Sequence, residues 1–82
     1  MHYVYILQSI KYPQRLYKGY TVNLKERIKY HNWGDCKHTV KYGPWRFVYY
    51  SVFIDKKKAL AFERYLKSSS GIAFMRKRLI NY

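Results

Sequence analysis

Two short segments rich in Tyr, Val, Ile and Leu open the chain, and they restrict the folds that it can adopt. They span residues 2–8 and 15–21, and between them lies Ser9–Gln14, which contains Pro13. Branched and aromatic side chains favour extended backbone, whereas a polar segment with a proline favours a turn. The pattern predicts two antiparallel strands joined as a hairpin.

A helix is predicted directly after the hairpin, over about residues 24–33. Asn23 is a favourable N-cap residue, and Glu26 follows it at the spacing of a capping box. Gly34 is expected to close this helix. After a polar loop, the segment RFVYYSVF predicts a third strand.

The remaining residues predict two more helices. Asp55 is expected to cap a helix through KKKALAFERYLKS, and Gly71 is expected to separate it from a short last helix, IAFMRKRLI. The order β-β-α-β-α-α indicates an α/β (α+β) fold, with a small, three-stranded, mostly antiparallel sheet flanked by helices. With 82 residues, the chain has room for a single domain over residues 1–82.

The chain is strongly basic, with 17 Lys and Arg against 4 Asp and Glu and a formal net charge of +13. Such an excess favours a polyanionic partner, because phosphate contacts release condensed counterions. Nucleic acid is therefore the predicted partner. An anionic membrane is the main alternative, but no segment approaches the roughly 18 apolar residues of a spanning helix, and the basic residues are scattered along the chain.

Cys36 is the only cysteine, which excludes an intrachain disulfide and any zinc site built from several thiolates. We expect no disulfide-linked partner and a reducing, cytoplasmic location. The first residues, MHYVYILQ, lack the basic and long apolar regions of a secretion signal, so export is not expected.

Three of the four acidic residues have ordinary structural explanations. Glu26 belongs to a helix cap, Asp55 is an N-cap, and Asp35 lies in a polar loop. Glu63 differs, because at about 100° per residue it borders the apolar stripe of its helix. It is either paired with a nearby Arg, or a residue at the rim that faces water, or a metal ligand. Mg²⁺ suits the last interpretation, because it often takes only one or two carboxylates.

The tyrosines also have two interpretations. Strand propensity explains most of the 11, but Tyr3 and Tyr5 share one face of their strand, and Tyr17 shares a face with Gly19. Cationic neighbours favour the phenolate, so a strand tyrosine could orient or deprotonate water. The small Gly19 could leave a gap that admits a phosphate backbone.

Arg27 and His31 lie four residues apart, and so are neighbours along the predicted helix. An exposed basic helix face explains them without function. Both side chains also suit phosphoryl chemistry, because Arg offers a fork that matches a phosphate and His transfers protons near neutral pH.

Taken in order, these segments resemble the GIY-YIG nuclease superfamily, in particular its small stand-alone members related to the N-terminal nuclease domain of excinuclease C. YVYIL stands in place of the GIY half, and Tyr17-Lys18-Gly19 in place of the YIG half. NLKERIKYHNWG resembles the family's helix with its Arg and His, GPWRFVYYSVF its third strand, and ALAFERYLKS the helix with its glutamate. The resemblance spans nearly the whole chain.

The resemblance implies hydrolysis of one DNA strand by activated water, with one divalent metal ion, Mg²⁺ or Mn²⁺. It makes Tyr5 and Tyr17 the motif tyrosines, either of which can be the general base, and Arg27 the residue that stabilises the transition state. His31 becomes an auxiliary proton carrier and Glu63 the metal ligand. The predicted nucleic-acid contacts are Lys18, Lys25, Arg27, Arg64, Lys67 and Asn81.

The chain departs from the family pattern at several positions. The positions concerned are Tyr3 in place of a glycine, Lys18 in place of an apolar residue, Ser51 in place of an acid, Phe62 in place of an arginine, and Ile72 in place of the arginine of a GR pair. Alternation along the strand points Lys18 away from Tyr17, as a phosphate contact or as a surface lysine.

The leading hypothesis is a metal-dependent endonuclease that acts on DNA, in repair or recombination, with branched or nicked DNA as candidate substrates. The alternative is a nucleic-acid-binding module for DNA or RNA on the same fold, without catalysis. A third interpretation is an RNA-binding or ribosome-associated protein, since exposed aromatic rings can stack on unpaired bases.

Overall fold

The computed structural model describes residues 1–34 and 37–80, apart from the side chain of His38. The strands are β1 (His2–Ser9), β2 (Leu16–Thr21) and β3 (Trp45–Phe53). The helices are α1 (Leu24–Trp33), α2 (Lys37–Val40), α3 (Lys56–Leu66) and α4 (Ser69–Phe74), which continues as a π-helical turn over Met75–Leu79. The predicted α+β fold is confirmed, and the single-turn α2 is an addition within the predicted polar loop.

The described residues form one antiparallel sheet in the order β2-β1-β3, so β1 is central and β2 is an edge strand. Tyr5 of β1 lies opposite Gly19 of β2, and Leu7 lies opposite Tyr17. Residues paired across neighbouring strands share one face of the sheet, and successive residues along a strand face opposite sides. Tyr5, Gly19, Leu7 and Tyr17 therefore share a face, while Lys18 lies on the other.

Helices cover both faces of the sheet. On the first, here called the α1 face, Tyr5, Leu7 and Trp45 are buried, with Leu24 and Ile28 of α1 packed against them. On the second, the α3 face, the buried core consists of Val4, Ile6, Ala59, Leu66 and Met75. The central strand is buried from both sides, which gives the domain three layers.

Local hydrogen bonds fix the start of the two longer helices as predicted. The Asn23 side chain accepts a bond from the Glu26 backbone N–H at 3.1 Å, and Asp55 accepts one from the Lys57 N–H at 2.8 Å. Each bond satisfies a backbone donor that the first turn of a helix leaves unpaired. The Gly34 N–H bonds to the Tyr30 carbonyl and closes α1.

The prediction that Gly71 separates the last two helices is wrong. Ser68 makes the separation, since its hydroxyl caps α4 by accepting a bond from the Gly71 N–H at 3.1 Å. Gly71 lies buried inside α4, where a Cβ atom would overlap the Tyr65 carbonyl oxygen and come within 2.8 Å of the Leu66 Cα. The glycine is required because α4 packs directly on the backbone at the end of α3.

In the described ranges, no helix is long and apolar enough to cross a membrane. Three residues of the sequence predictions lie outside the described residues. They are Asp35, predicted to lie in a polar loop, Cys36, the only cysteine, and Asn81, a predicted nucleic-acid contact.

We predict that Gly71→Ala destabilises the protein by about 2 kcal/mol or more, although alanine normally favours a helix interior. The overlap with the α3 backbone outweighs the gain in propensity. Urea unfolding measures the change, and Ala73→Gly at an exposed position of the same helix is the control, expected to cost about 1 kcal/mol. A stabilised Gly71→Ala protein would contradict this packing.

Candidate active site

A chain of hydrogen bonds lies buried beneath α1. The Tyr5 hydroxyl is 2.8 Å from Nε2 of His31, and Nδ1 of the same ring is 2.8 Å from the Thr39 hydroxyl. Thr39 is fixed in turn, because its carbonyl accepts a bond of 2.6 Å from Nε1 of Trp45. Tyr5, His31 and Thr39 are at most 1% exposed, so each polar group needs these partners.

Gly19 makes room for the Tyr5 ring, at which this chain of hydrogen bonds begins. Its cross-strand partner is Tyr5, whose ring lies over it, and a Cβ atom on Gly19 would come within 2.6 Å of the Tyr5 Cζ. The prediction that a gap beside Gly19 admits a phosphate backbone is therefore wrong. The space holds a side chain of the central strand instead.

His31 faces the sheet and not the solvent. It belongs to the stripe of Leu24 and Ile28 that packs on the α1 face, and it is fully buried. The interpretation of His31 as part of an exposed basic helix face is wrong for this reason. Buried histidine is also a poor direct contact for a substrate.

Burial, and then the nearby charge of Arg27, lowers the pKa of His31 from 6.5 to about 4. The ring is therefore neutral at physiological pH, with one nitrogen as donor and the other as acceptor. The hydroxyls of Tyr5 and Thr39 can each take either role. A neutral His31 that is hydrogen-bonded at both ring nitrogens is suited to fixing the orientation of Tyr5.

Tyr17 is the more accessible of the two motif tyrosines. It lies in the edge strand, is partly exposed, and its ring centroid is 4.6 Å from that of His31 and 6.4 Å from that of Tyr5. Tyr5 is 1% exposed. Of the two phenols, that of Tyr17 can reach a substrate without rearrangement of the core.

Arg27 lies one turn before His31 and is also partly exposed. Its guanidinium carbon is 5.0 Å from the centre of the Tyr30 ring, a separation at which a cation is attracted to the ring face. A surface cleft of about 360 Å³ borders it, lined by Thr21, Val22, Asn23, Glu26, Arg27 and Tyr30.

Glu63 lies on α3, which packs on the opposite face of the sheet. Its side chain is 17% exposed and forms an ion pair with Lys67, one turn further along the helix. The sequence allowed such a pair, although with an arginine as partner. The structure thus brings Tyr5, Tyr17, Arg27 and His31 together, and within the described part of the chain no hydrogen bond or ion pair joins Glu63 to them.

Lys18 points to the α3 face, away from Tyr17, as alternation predicted. Burial, followed by the charges of Lys67 and Arg76, lowers its pKa from the usual 10.5. Tyr17 and Lys18 are adjacent in an edge strand that also packs against α3. Neighbouring residues of this one edge strand therefore reach the two faces of the sheet, Tyr17 on the α1 face and Lys18 on the α3 face.

The other predicted contacts, Lys25, Arg64 and Lys67, are exposed, which suits contact with a polyanionic partner. Two of the family departures serve the apolar core, since Phe62 packs 5.6 Å from the Phe53 ring and Ile72 packs against the α3-face cluster. At Ser51, the hydroxyl is buried without a hydrogen-bond partner among the described residues.

Sequence reasoning missed Thr39, Trp45 and Tyr30. Thr39 lies in a segment that the sequence predicted to be a polar loop. Its hydrogen bond to His31 forms because α2 packs beside α1, which the sequence pattern does not predict. The i, i+3 spacing of Arg27 and Tyr30 was the one available signal, because residues at this spacing are neighbours on a helix.

A family model described as the GIY-YIG catalytic domain matches residues 1–76. A UPF0213 protein of Clostridium perfringens is 44% identical over 68 residues, which are 82% of this chain and 71% of that protein. A structure-specific endonuclease subunit SLX1 homolog of Giardia intestinalis is 40% identical over 65 residues, covering 74% of this chain and 18% of that protein. The solution NMR structure of a UPF0213 protein from Bacillus halodurans matches with a TM-score of 0.56 and 34% identity, covering 93% of this chain and 82% of that one.

We predict that folding stability falls as the pH drops from 6.5 toward about 4. In this window unfolded His31 is protonated and the folded ring is not, so the unfolded state holds more protons and acid favours it. The loss is roughly 2 kcal/mol, measured by urea unfolding at about pH 7.5 and 4.5. His31→Gln should show a shallower pH dependence, and equal slopes in the two proteins would contradict the assignment.

Proposed function

Because this chain belongs to the GIY-YIG catalytic-domain family, we propose that it is an endonuclease that hydrolyses phosphodiester bonds of DNA. One observation carries the proposal: the partly exposed Tyr17 ring packs against His31 of the buried chain of Tyr5, His31 and Thr39, and the partly exposed Arg27 lies one turn before His31 on α1. The formal charge of +13 supports a polyanionic substrate. Branched DNA is a candidate because one relative is named as a structure-specific endonuclease subunit.

Tyr17 and Arg27 are the groups that touch the substrate in this proposal. The Arg27 fork binds two oxygens of the scissile phosphate and stabilises the charge that develops there. Tyr17 orients the attacking water, or in its phenolate form takes the water proton. The new bond joins the water oxygen to phosphorus, and the bond from phosphorus to the leaving oxygen breaks. The water proton goes to the Tyr17 phenolate or to solvent, and the leaving oxygen takes a proton from solvent water.

Tyr5 and His31 act through Tyr17 and not on the substrate. Both are buried, and the His31 ring lies in contact with the Tyr17 ring. The low pKa of His31 keeps it neutral, which makes it a weak proton carrier at physiological pH. We assign it a positioning role in place of the proton transfer that the family resemblance implies.

A divalent ion, Mg²⁺ or Mn²⁺, is the proposed cofactor, and Glu63 is the residue that would hold it. Among the described residues, no three His, Cys, Asp or Glu side chains lie close enough together to hold a metal ion. One sheltered carboxylate fits an ion that keeps water and phosphate oxygens in its shell. When bound, such an ion neutralises negative charge on the phosphate. Lys67 would exchange its carboxylate partner for a phosphate oxygen.

A second candidate is a DNA- or RNA-binding module without catalysis. The observation in its favour is that Glu63 already has Lys67 as partner and lies on a helix of the α3 face, away from Tyr5. The same basic surface serves either function. The nuclease proposal, in contrast, includes a cytoplasmic location and a role in DNA repair.

We predict that Glu63→Gln lowers metal-dependent DNA cleavage by about 100-fold or more, because the amide keeps the shape but loses the ligand charge. The assay supplies Mg²⁺ or Mn²⁺ and a mixture of DNA structures. Asp55→Asn, which removes one exposed carboxylate at the start of the same helix and keeps a good N-cap, is the control and should cut like wild type. Equal cutting by the Glu63 variant removes the metal assignment, and wild-type binding without cutting favours the second candidate.

We predict that Arg27→Lys lowers kcat by about 100- to 1,000-fold with little change in DNA affinity, since lysine keeps the charge but not the fork. Single-turnover cleavage and equilibrium binding separate the two effects. Arg15→Lys, another arginine stacked on a tyrosine but in the hairpin loop, should retain activity. If Arg27→Lys is as active as wild type, Arg27 makes no such bidentate contact.

A further inference from the structure

Among the residues that the structure describes, no element covers one corner of the α1 face, because α1 crosses the sheet diagonally. The helix begins next to Thr21 at the end of β2, where the Asn23 N–H bonds to the Thr21 hydroxyl. Near its other end, the Asn32 side chain bonds to the backbone of Trp45 at the start of β3. The far corner of the sheet, where β1 starts and β3 ends, lies outside this path.

This sheet corner consists of Tyr3, Tyr50 and Val52. Tyr3 lies opposite Val52 in the register, and Tyr50 lies opposite Tyr5. Tyr50 is 55% exposed and Val52 is 50% exposed. The rings of Tyr3 and Tyr50 pack edge to face, with centroids 6.4 Å apart at 63°. The corner is therefore an exposed aromatic surface in which the two rings support each other.

The corner adjoins the candidate active site and a positive charge. Tyr50 is the direct neighbour of Tyr5, the first member of the buried hydrogen-bonded chain. Lys25 is exposed and lies seven residues before Asn32, hence on the flank of α1 that faces β3. Glu26, in contrast, lines the cleft beside Arg27 on the other flank. The surroundings of the corner therefore favour an anionic ligand.

We propose that the sheet corner stacks unpaired bases of the DNA substrate, with Lys25 contacting the backbone of the same strand. The proposal rests on the proposed nuclease function for the nature of the ligand. Aromatic rings stack on bases of any sequence, but a duplex keeps its bases stacked on one another. The corner would therefore select DNA that has single-stranded nucleotides within reach of the strand held by Arg27 and Tyr17.

Binding in the presence of EDTA tests this without cleavage. Two DNAs are compared, a duplex and the same duplex with a single-stranded arm that carries 2-aminopurine. Wild type should bind the armed DNA more tightly and quench the 2-aminopurine fluorescence by stacking. Tyr50→Ala should weaken binding of the armed DNA about tenfold, leave duplex binding unchanged and abolish the quenching.

Two variants control for the ring and for its position. Tyr50→Phe keeps the stacking surface and should retain both the affinity and the quenching. Tyr65→Ala removes another exposed ring, 40% accessible on α3 of the opposite face, and should bind the armed DNA like wild type. Thermal unfolding of each variant shows whether the fold is retained.

Three results would overturn the proposal. They are equal wild-type affinity for the two DNAs, equal weakening of both DNAs by Tyr50→Ala, and a dimer in sedimentation that Tyr50→Ala converts to monomer, which would make a second copy the occupant. None of these depends on cutting. A protein that fails to cleave DNA can still pass the binding test, so the two proposals fail separately.

Discussion

The buried hydrogen-bonded chain from Tyr5 through His31 to Thr39 is the interaction on which the rest of the structure depends. It connects the central strand to α1 and α2, and Trp45 ties its last member to β3. Leaving one such buried group unpaired costs about 1–3 kcal/mol, which is a large part of the stability of a small domain. The bonds that hold α1 on the sheet are also those that orient Tyr5, so the fold and the candidate site share one support.

Burial divides the candidate residues into two layers with different roles. Tyr17 and Arg27 reach the surface, whereas Tyr5 and His31 are enclosed beneath them. The family resemblance allowed either tyrosine as general base, and accessibility favours Tyr17. Because β2 is an edge strand, Tyr17 and Lys18 are accessible from its free edge, one on each face of the sheet.

Features that depend on neighbouring residues could be predicted from the sequence, and those that depend on distant ones could not. The caps at Asn23 and Asp55 were predicted because a capping side chain binds backbone within its own first turn. The role of Gly71 was not, because the need for a glycine arises from α4 meeting the end of α3. Likewise, the position of Glu63 beside an apolar stripe followed from helix periodicity, but periodicity does not say which face of the sheet the helix covers.

The proposed site is tested most directly by a crystal structure of the protein with Mn²⁺ and a short DNA that carries an uncleavable phosphate. We expect anomalous manganese density beside Glu63, with one phosphate bound by Arg27 and facing the Tyr17 hydroxyl, while Tyr5 and His31 stay buried. DNA bound at a different surface, or manganese remote from Glu63 with Tyr17 far from any phosphate, would contradict the proposed site.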